Sequence, residues 1–93
     1  MKHKDLNAED ENSFTILMYS IIDCNLKMAK KLLRRGADIN YVNLKGKTAL
    51  HLAIENKKED AIKLLIENKA YLHIVDFSGE DACDKIRTYG LAK

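Results

Sequence analysis

The sequence predicts an all-α solenoid of stacked helix pairs joined by β-hairpin-like loops, with about two full repeats and partial repeats at both ends. Three observations carry this reading. Sliding the 93-residue chain onto itself by 33 positions pairs Asp5 with Asp38, Asn7 with Asn40, Thr15 with Thr48, Leu17 with Leu50, Ile21 with Ile54, Leu32 with Leu65 and Gly46 with Gly79. Each period then repeats one grammar of helix cap, short apolar helix, polar break and second amphipathic helix. The composition, 46% apolar and 32% charged, suits a single small domain and leaves too little chain for two independent cores.

Residues 1–9 read as the tail of a preceding repeat, because Asp5-Leu6-Asn7 matches Asp38-Ile39-Asn40. Residues 10–42 form the first repeat: Thr15 caps a helix, Asp23-Cys24-Asn25 breaks it, and Leu26, Ala29, Leu32 and Leu33 make the stripe of a second helix that Gly36 ends as a left-handed cap. Residues 43–75 form the second. There Thr48 caps Ala49 to Ile54, Glu55-Asn56-Lys57-Lys58 is the break, and Ala61, Ile62, Leu65 and Ile66 recur at helical spacing. Residues 76–93 open a third copy, in which Asp81 caps the helix and Asp84 stands where a capping-box partner belongs. Gly46 and Gly79 allow the turns before the helices. A chain that starts and stops inside repeats is expected to be a segment of a larger protein, or to cover its open ends by self-association.

The stretch Gly46-Lys47-Thr48-Ala49-Leu50-His51-Leu52-Ala53, followed by Leu64-Leu65-Ile66, resembles the ankyrin repeat, whose period is also 33. Gly36-Ala37-Asp38-Ile39-Asn40 resembles that family's hairpin, and Ser13-Phe14-Thr15 is a weaker Gly46-Lys47-Thr48. The sequence departs from the family pattern at Ala49, where proline is usual, at Met18 in place of the histidine, at Lys69 in the register of Gly36, and at Asp81, Cys83 and Ile86 in the third copy. The resemblance implies a non-catalytic protein-binding module.

Charge and composition narrow the alternatives. Sixteen basic against fourteen acidic residues leave a formal charge of +2, well short of a dedicated nucleic-acid binder. No apolar run is long enough for a membrane span, and the start lacks a secretory signal. With only Cys24 and Cys83, no disulfide framework is available, and an intracellular, cytoplasmic setting is expected. No phosphate loop, nucleophile elbow or carboxylate pair occurs, so neither catalysis, cofactor nor small-molecule substrate is expected.

His51 could serve an enzyme as base or ligand, yet three residues after Thr48 its imidazole can bond back to the turn and the neighbouring loop, and that role is predicted. His73 has no Cys, Asp or Glu at a zinc-motif spacing, so no metal site is expected. Cys83 is placed in the core of its helix. The basic run Lys27, Lys30, Lys31, Arg34 and Arg35 reads as a solvated outer face, with weak nucleic-acid binding as the lesser alternative. The resemblance adds two more alternatives: a regulatory or targeting domain of a larger enzyme, and a substrate of asparaginyl hydroxylation at Asn40. That asparagine otherwise serves to bond adjacent hairpins together.

The resemblance implies a concave partner surface made of the loop tips and first-helix ends: Phe14, Ile22 and Asp23 in the first copy, with Glu11 and Asn12 beside them; Val42, Leu44, Lys45, Lys47, Glu55 and Asn56 in the second; Val75, Phe77, Ser78 and Glu80 in the third. Val42 aligns with Val75, and Leu44 with Phe77. Apolar loop tips suggest a partner protein that offers an apolar anchor and flanking acidic groups to Lys45 and Lys47, unless neighbouring hairpins pack these side chains against each other.

Overall fold

A computed structural model describes residues 7–11 and 13–89. Five helices follow in order, α1 (Ile16–Ile22), α2 (Leu26–Arg34), α3 (Ala49–Glu55), α4 (Glu59–Glu67) and α5 (Ala82–Thr88). The antiparallel pairs α1/α2 and α3/α4 pack within themselves; α1, α3 and α5 stack as one layer and α2 packs on α4 in the other. The all-α repeat fold matches the sequence expectation. The predictions for residues 1–6, Asn12 and 90–93 lie outside the described residues.

Each first helix starts at a cap that the sequence announces. The Thr15 hydroxyl accepts Met18 N, Thr48 accepts His51 N, and Asp81 accepts Asp84 N, with full capping boxes at Thr48 and Asp81. All four ends of α1 to α4 close in the Schellman manner. Asn25 N bonds Ser20 O, Ala37 N bonds Leu32 O, Lys58 N bonds Ala53 O and Ala70 N bonds Leu65 O. This requires positive φ at Cys24 (57°), Gly36 (99°), Lys57 (55°) and Lys69 (69°). Only one of these is the glycine that the conformation favours. Lys69 therefore keeps the cap geometry of Gly36 at an energetic cost, which the packing on either side of it supports.

α3 lies in the middle of the stack and is buried on all sides except its last residue: Ala49 to Ile54 are all buried. Met18, Ile21, Leu50, Ile54 and Leu65 are the largest fully buried apolar side chains. Each contributes about 1.5–3 kcal/mol by burial.

The connections are hairpin-like loops without strand pairing: no strand occurs among the described residues, and Asn43 N bonds Lys47 O and Asp76 N bonds Glu80 O across the tips. They are tight turns, each closed by an asparagine or aspartate side chain. Asp10 Oδ1 accepts Phe14 N (3.1 Å); Asn43 Oδ1 accepts Lys45 N and Lys47 N (2.9 and 3.0 Å); Asp76 Oδ1 accepts Ser78 N and Glu80 N (2.9 and 3.1 Å). These side chains do the work that a ladder would do. Positive φ at Ser13, Gly46 and Gly79 completes the turns. Between hairpins, Asn7 Oδ1 accepts Asp38 N (2.9 Å) and Asn40 Oδ1 accepts Tyr71 N (2.8 Å), so Asn40 has the bridging role expected of it.

Candidate functional site

The apolar residues at the loop tips stand in the open. Val42, Leu44, Val75 and Phe77 are 41%, 74%, 56% and 78% exposed. Packing between neighbouring loops covers little of them, although the two tips touch: a Cβ on Gly46 would come within 2.6 Å of Phe77 Cδ1 and 2.8 Å of Phe77 N. Gly46 is thus needed twice, for its φ of 79° and for the close approach of the Phe77 backbone. Lys45 and Ser78 are exposed beside these residues. The tips are held from beneath, since Asn43, 3% exposed, also donates through Nδ2 to Ser13 O at 2.7 Å.

Several other predicted surface residues sit differently. Phe14 and Ile22 are half-buried against the core, and the Phe14 ring lies 5.2 Å from that of Tyr19. Asp23 and Asn56 are exposed, but Asn56 Nδ2 donates to Leu52 O at 2.8 Å. Lys47, expected to face a partner, pairs with Glu55 at 2.9 Å. Glu55 is therefore an internal ion-pair partner rather than a free surface carboxylate.

Glu55 belongs to a cluster that sequence reasoning missed. Lys85, only 3% exposed, places Nζ 2.8 Å from Glu55 Oε2, 2.9 Å from Asp76 Oδ2 and 3.2 Å from Glu80 Oε1. The Asp76 side chain is fully enclosed, and its Oδ2 meets Lys85 as a charge contact rather than a directed hydrogen bond. Burial alone would raise the Glu55 and Asp76 carboxyls, but the Lys85 ammonium, with Lys47 on Glu55 and backbone N–H groups on Asp76, holds both below the ordinary carboxylate range. Burial alone would lower the Lys85 ammonium, and its three carboxylate partners more than reverse this and raise it. The available signal was register: Lys85 falls at the position of buried Leu52, and Asp76 at that of buried Asn43.

His51 plays the structural part. It is 1% exposed; Nδ1 accepts Thr48 N at 3.1 Å, and Nε2 lies 3.2 Å from Glu80 O. A backbone N–H on one side and a carbonyl on the other require the neutral tautomer with its proton on Nε2. His51 thereby fixes the start of α3 and the far side of the next loop with one ring.

Two residues with chemical potential, His73 and Cys83, sit differently from what their spacing in the chain suggests. The structure gives His73 the neighbours that spacing did not, bringing His73, Asp81 and Cys83 together with ligand atoms within 4.8 Å of one another. Cys83 is half-exposed rather than a core residue. On α2, Lys27, Lys30, Lys31, Arg34 and Arg35 are all exposed opposite buried Ala29 and Leu32, as a solvated outer face would be.

Stacked helix pairs that end in rigidly held, solvent-facing loops define a repeat scaffold. A family model of ankyrin repeats, three copies long, matches residues 1–76. The chain belongs to the ankyrin-repeat family. It is 35% identical over 74 residues to a putative ankyrin repeat protein of fowlpox virus (strain NVSL), covering 80% of this chain and 11% of that protein. It is 36% identical over 67 residues to the Notch-regulated ankyrin repeat-containing protein A of Danio rerio, covering 72% of this chain and 60% of that one. It is 39% identical over 64 residues to inversin of Homo sapiens, covering 69% and 6%. The chain thus spans from a small fraction to about three fifths of these relatives' lengths. Ankyrin repeats are in general protein–protein interaction modules, and the family's members are typically non-enzymatic. Among the described residues no helix is long and apolar enough to cross a membrane.

Proposed function

We propose that this chain is a non-catalytic protein-docking module that binds its partner through the loop tips Val42, Leu44, Val75 and Phe77. The observation that carries this is the exposure of Leu44 (74%) and Phe77 (78%) on turns that are themselves tightly bonded. Large apolar groups on a rigid support lose little conformational entropy on docking and make efficient anchors. The partner presents an apolar segment to the strip and an acidic group to Lys45, which is exposed and in no ion pair among the described residues. Lys47, held by Glu55, contributes less than sequence reasoning expected.

The test uses a partner identified by affinity capture and then purified. Leu44→Ala with Phe77→Ala should keep the far-ultraviolet circular dichroism and thermal transition, because both side chains are mostly solvated, and should weaken the measured Kd at least 10-fold. Lys31→Ala with Arg34→Ala on α2 should leave Kd unchanged. The opposite pattern moves the site to the outer basic face.

A further inference from the structure

The chain departs from the repeat grammar at three positions, one at the end of the second repeat and two in the third, that converge in space. His73, Asp81 and Cys83 occupy the registers of Asn40, Thr48 and Leu50. One period earlier those positions supply a hairpin bridge, a helix cap and a buried apolar side chain. Here they supply an imidazole, a carboxylate and a thiol whose ligand atoms lie within 4.8 Å of one another.

We propose that His73, Asp81 and Cys83 form a binding site for one divalent transition metal of the zinc class. The set of one N, one O and one S donor fits that class: thiolate and imidazole favour zinc-like ions over Mg²⁺ or Ca²⁺, and three protein ligands leave a fourth tetrahedral position for water. Tetrahedral bond lengths place neighbouring donor atoms about 3.4–3.6 Å apart. His73 Nδ1 and Asp81 Oδ2 are already 3.1 Å apart, and the imidazole, 79% exposed, can swing outward without disturbing the core.

The carboxylate is oriented by its surroundings. Asp81 Oδ1 accepts Asp84 N at 2.9 Å as the helix cap, which leaves Oδ2 pointing at His73. Asp84 itself is committed elsewhere, with Oδ2 accepting Asp81 N and Oδ1 paired to Arg87. Cys83 is a free thiol and half-exposed, so an ion can reach it. Binding replaces the thiol proton with the metal and releases that proton to solvent.

The experiment titrates Co²⁺ into the full chain, kept reduced, and then competes it with Zn²⁺. The proposal expects a near-ultraviolet thiolate-to-cobalt charge-transfer band that saturates at one ion per chain and that one equivalent of Zn²⁺ bleaches. Cys83→Ser should abolish the band. His73→Ala and Asp81→Asn should each weaken binding at least about 10-fold; the latter keeps a capping side chain, so folding, followed by circular dichroism, is preserved. Cys24→Ser and His3→Ala should change nothing. Absence of the band at micromolar metal, its survival in Cys83→Ser, or its loss in Cys24→Ser or His3→Ala would each overturn the assignment.

Discussion

Removing the buried ammonium of Lys85 should destabilise this domain more than any exposed charge change. The Asp76 side chain is fully enclosed, and the Lys85 Nζ at 2.9 Å is the one cation that meets its Oδ2 among the described residues. Lys85→Leu supplies a side chain that the same register already buries at Leu52, 4% exposed, so loss of packing is small. What remains is an uncompensated buried carboxylate, for which breaking such a pair costs about 3–5 kcal/mol. At roughly 4–8 °C per kcal/mol for a domain of this size, Tm should fall by at least about 12 °C. Adding Asp76→Asn restores the second repeat's own solution, where Asn43 closes the turn with Oδ1 and donates through Nδ2 to Ser13 O. The double variant should lie within about 1 kcal/mol of the parent, giving a favourable coupling of about 2 kcal/mol or more between the two changes. Urea denaturation followed by circular dichroism on the four proteins of the cycle measures this. A loss below about 1 kcal/mol in Lys85→Leu, or simple additivity in the double variant, would show that the cluster does not hold the third loop.

The same cluster sets a pH dependence. Glu55 and Asp76, with ordinary values of 4.5 and 3.8, are lowered on folding, so their contribution is complete above those values and is lost as pH falls through the lower folded ones. Lys85, ordinarily 10.5, is raised, so its contribution is complete below that value and is lost as pH climbs through the higher folded one. The difference in urea midpoint between the parent and Lys85→Leu with Asp76→Asn, which isolates the cluster, should therefore hold steady between about pH 5 and 10 and change outside that window as the parent loses the cluster's contribution. His51→Ala should cost about 1–3 kcal/mol and Thr48→Ala about 1 kcal/mol in thermal or urea unfolding, through the lost bonds at the start of α3. Lys69→Gly should stabilise by about 1 kcal/mol, because Lys69 is exposed and held at a φ of 69°, and a fall in Tm would contradict the cap assignment. Gly46→Ala should destabilise by about 1–3 kcal/mol from the clash with the Phe77 backbone, read as a lower urea midpoint.

The period of 33, the two helices per repeat, the caps at Thr15, Thr48 and Asp81 and the bridging role of Asn40 could all be read from the sequence alone. Each depends on residues three or four apart, or on a position that recurs one period later, and such regularities survive in one dimension. The part played by His51 was legible for the same reason, since its cap lies three residues away and its second partner in the next loop. Other features depend on residues that break the period. Lys85 replaces a leucine and Asp76 an asparagine, and whether two such exceptions compensate each other is decided only when the loop folds back over α3 and α5. His73, Asp81 and Cys83 are likewise exceptions whose spacing in the chain matches no ligand motif, and the turn from 76 to 80 is what brings them to one place. The exposure of Leu44 and Phe77, and the inward lean of Phe14 and Ile22, were equally undetermined, because all four are apolar and their pattern along the chain carries no direction. Only the stacking of one loop on the next settled which of them face solvent.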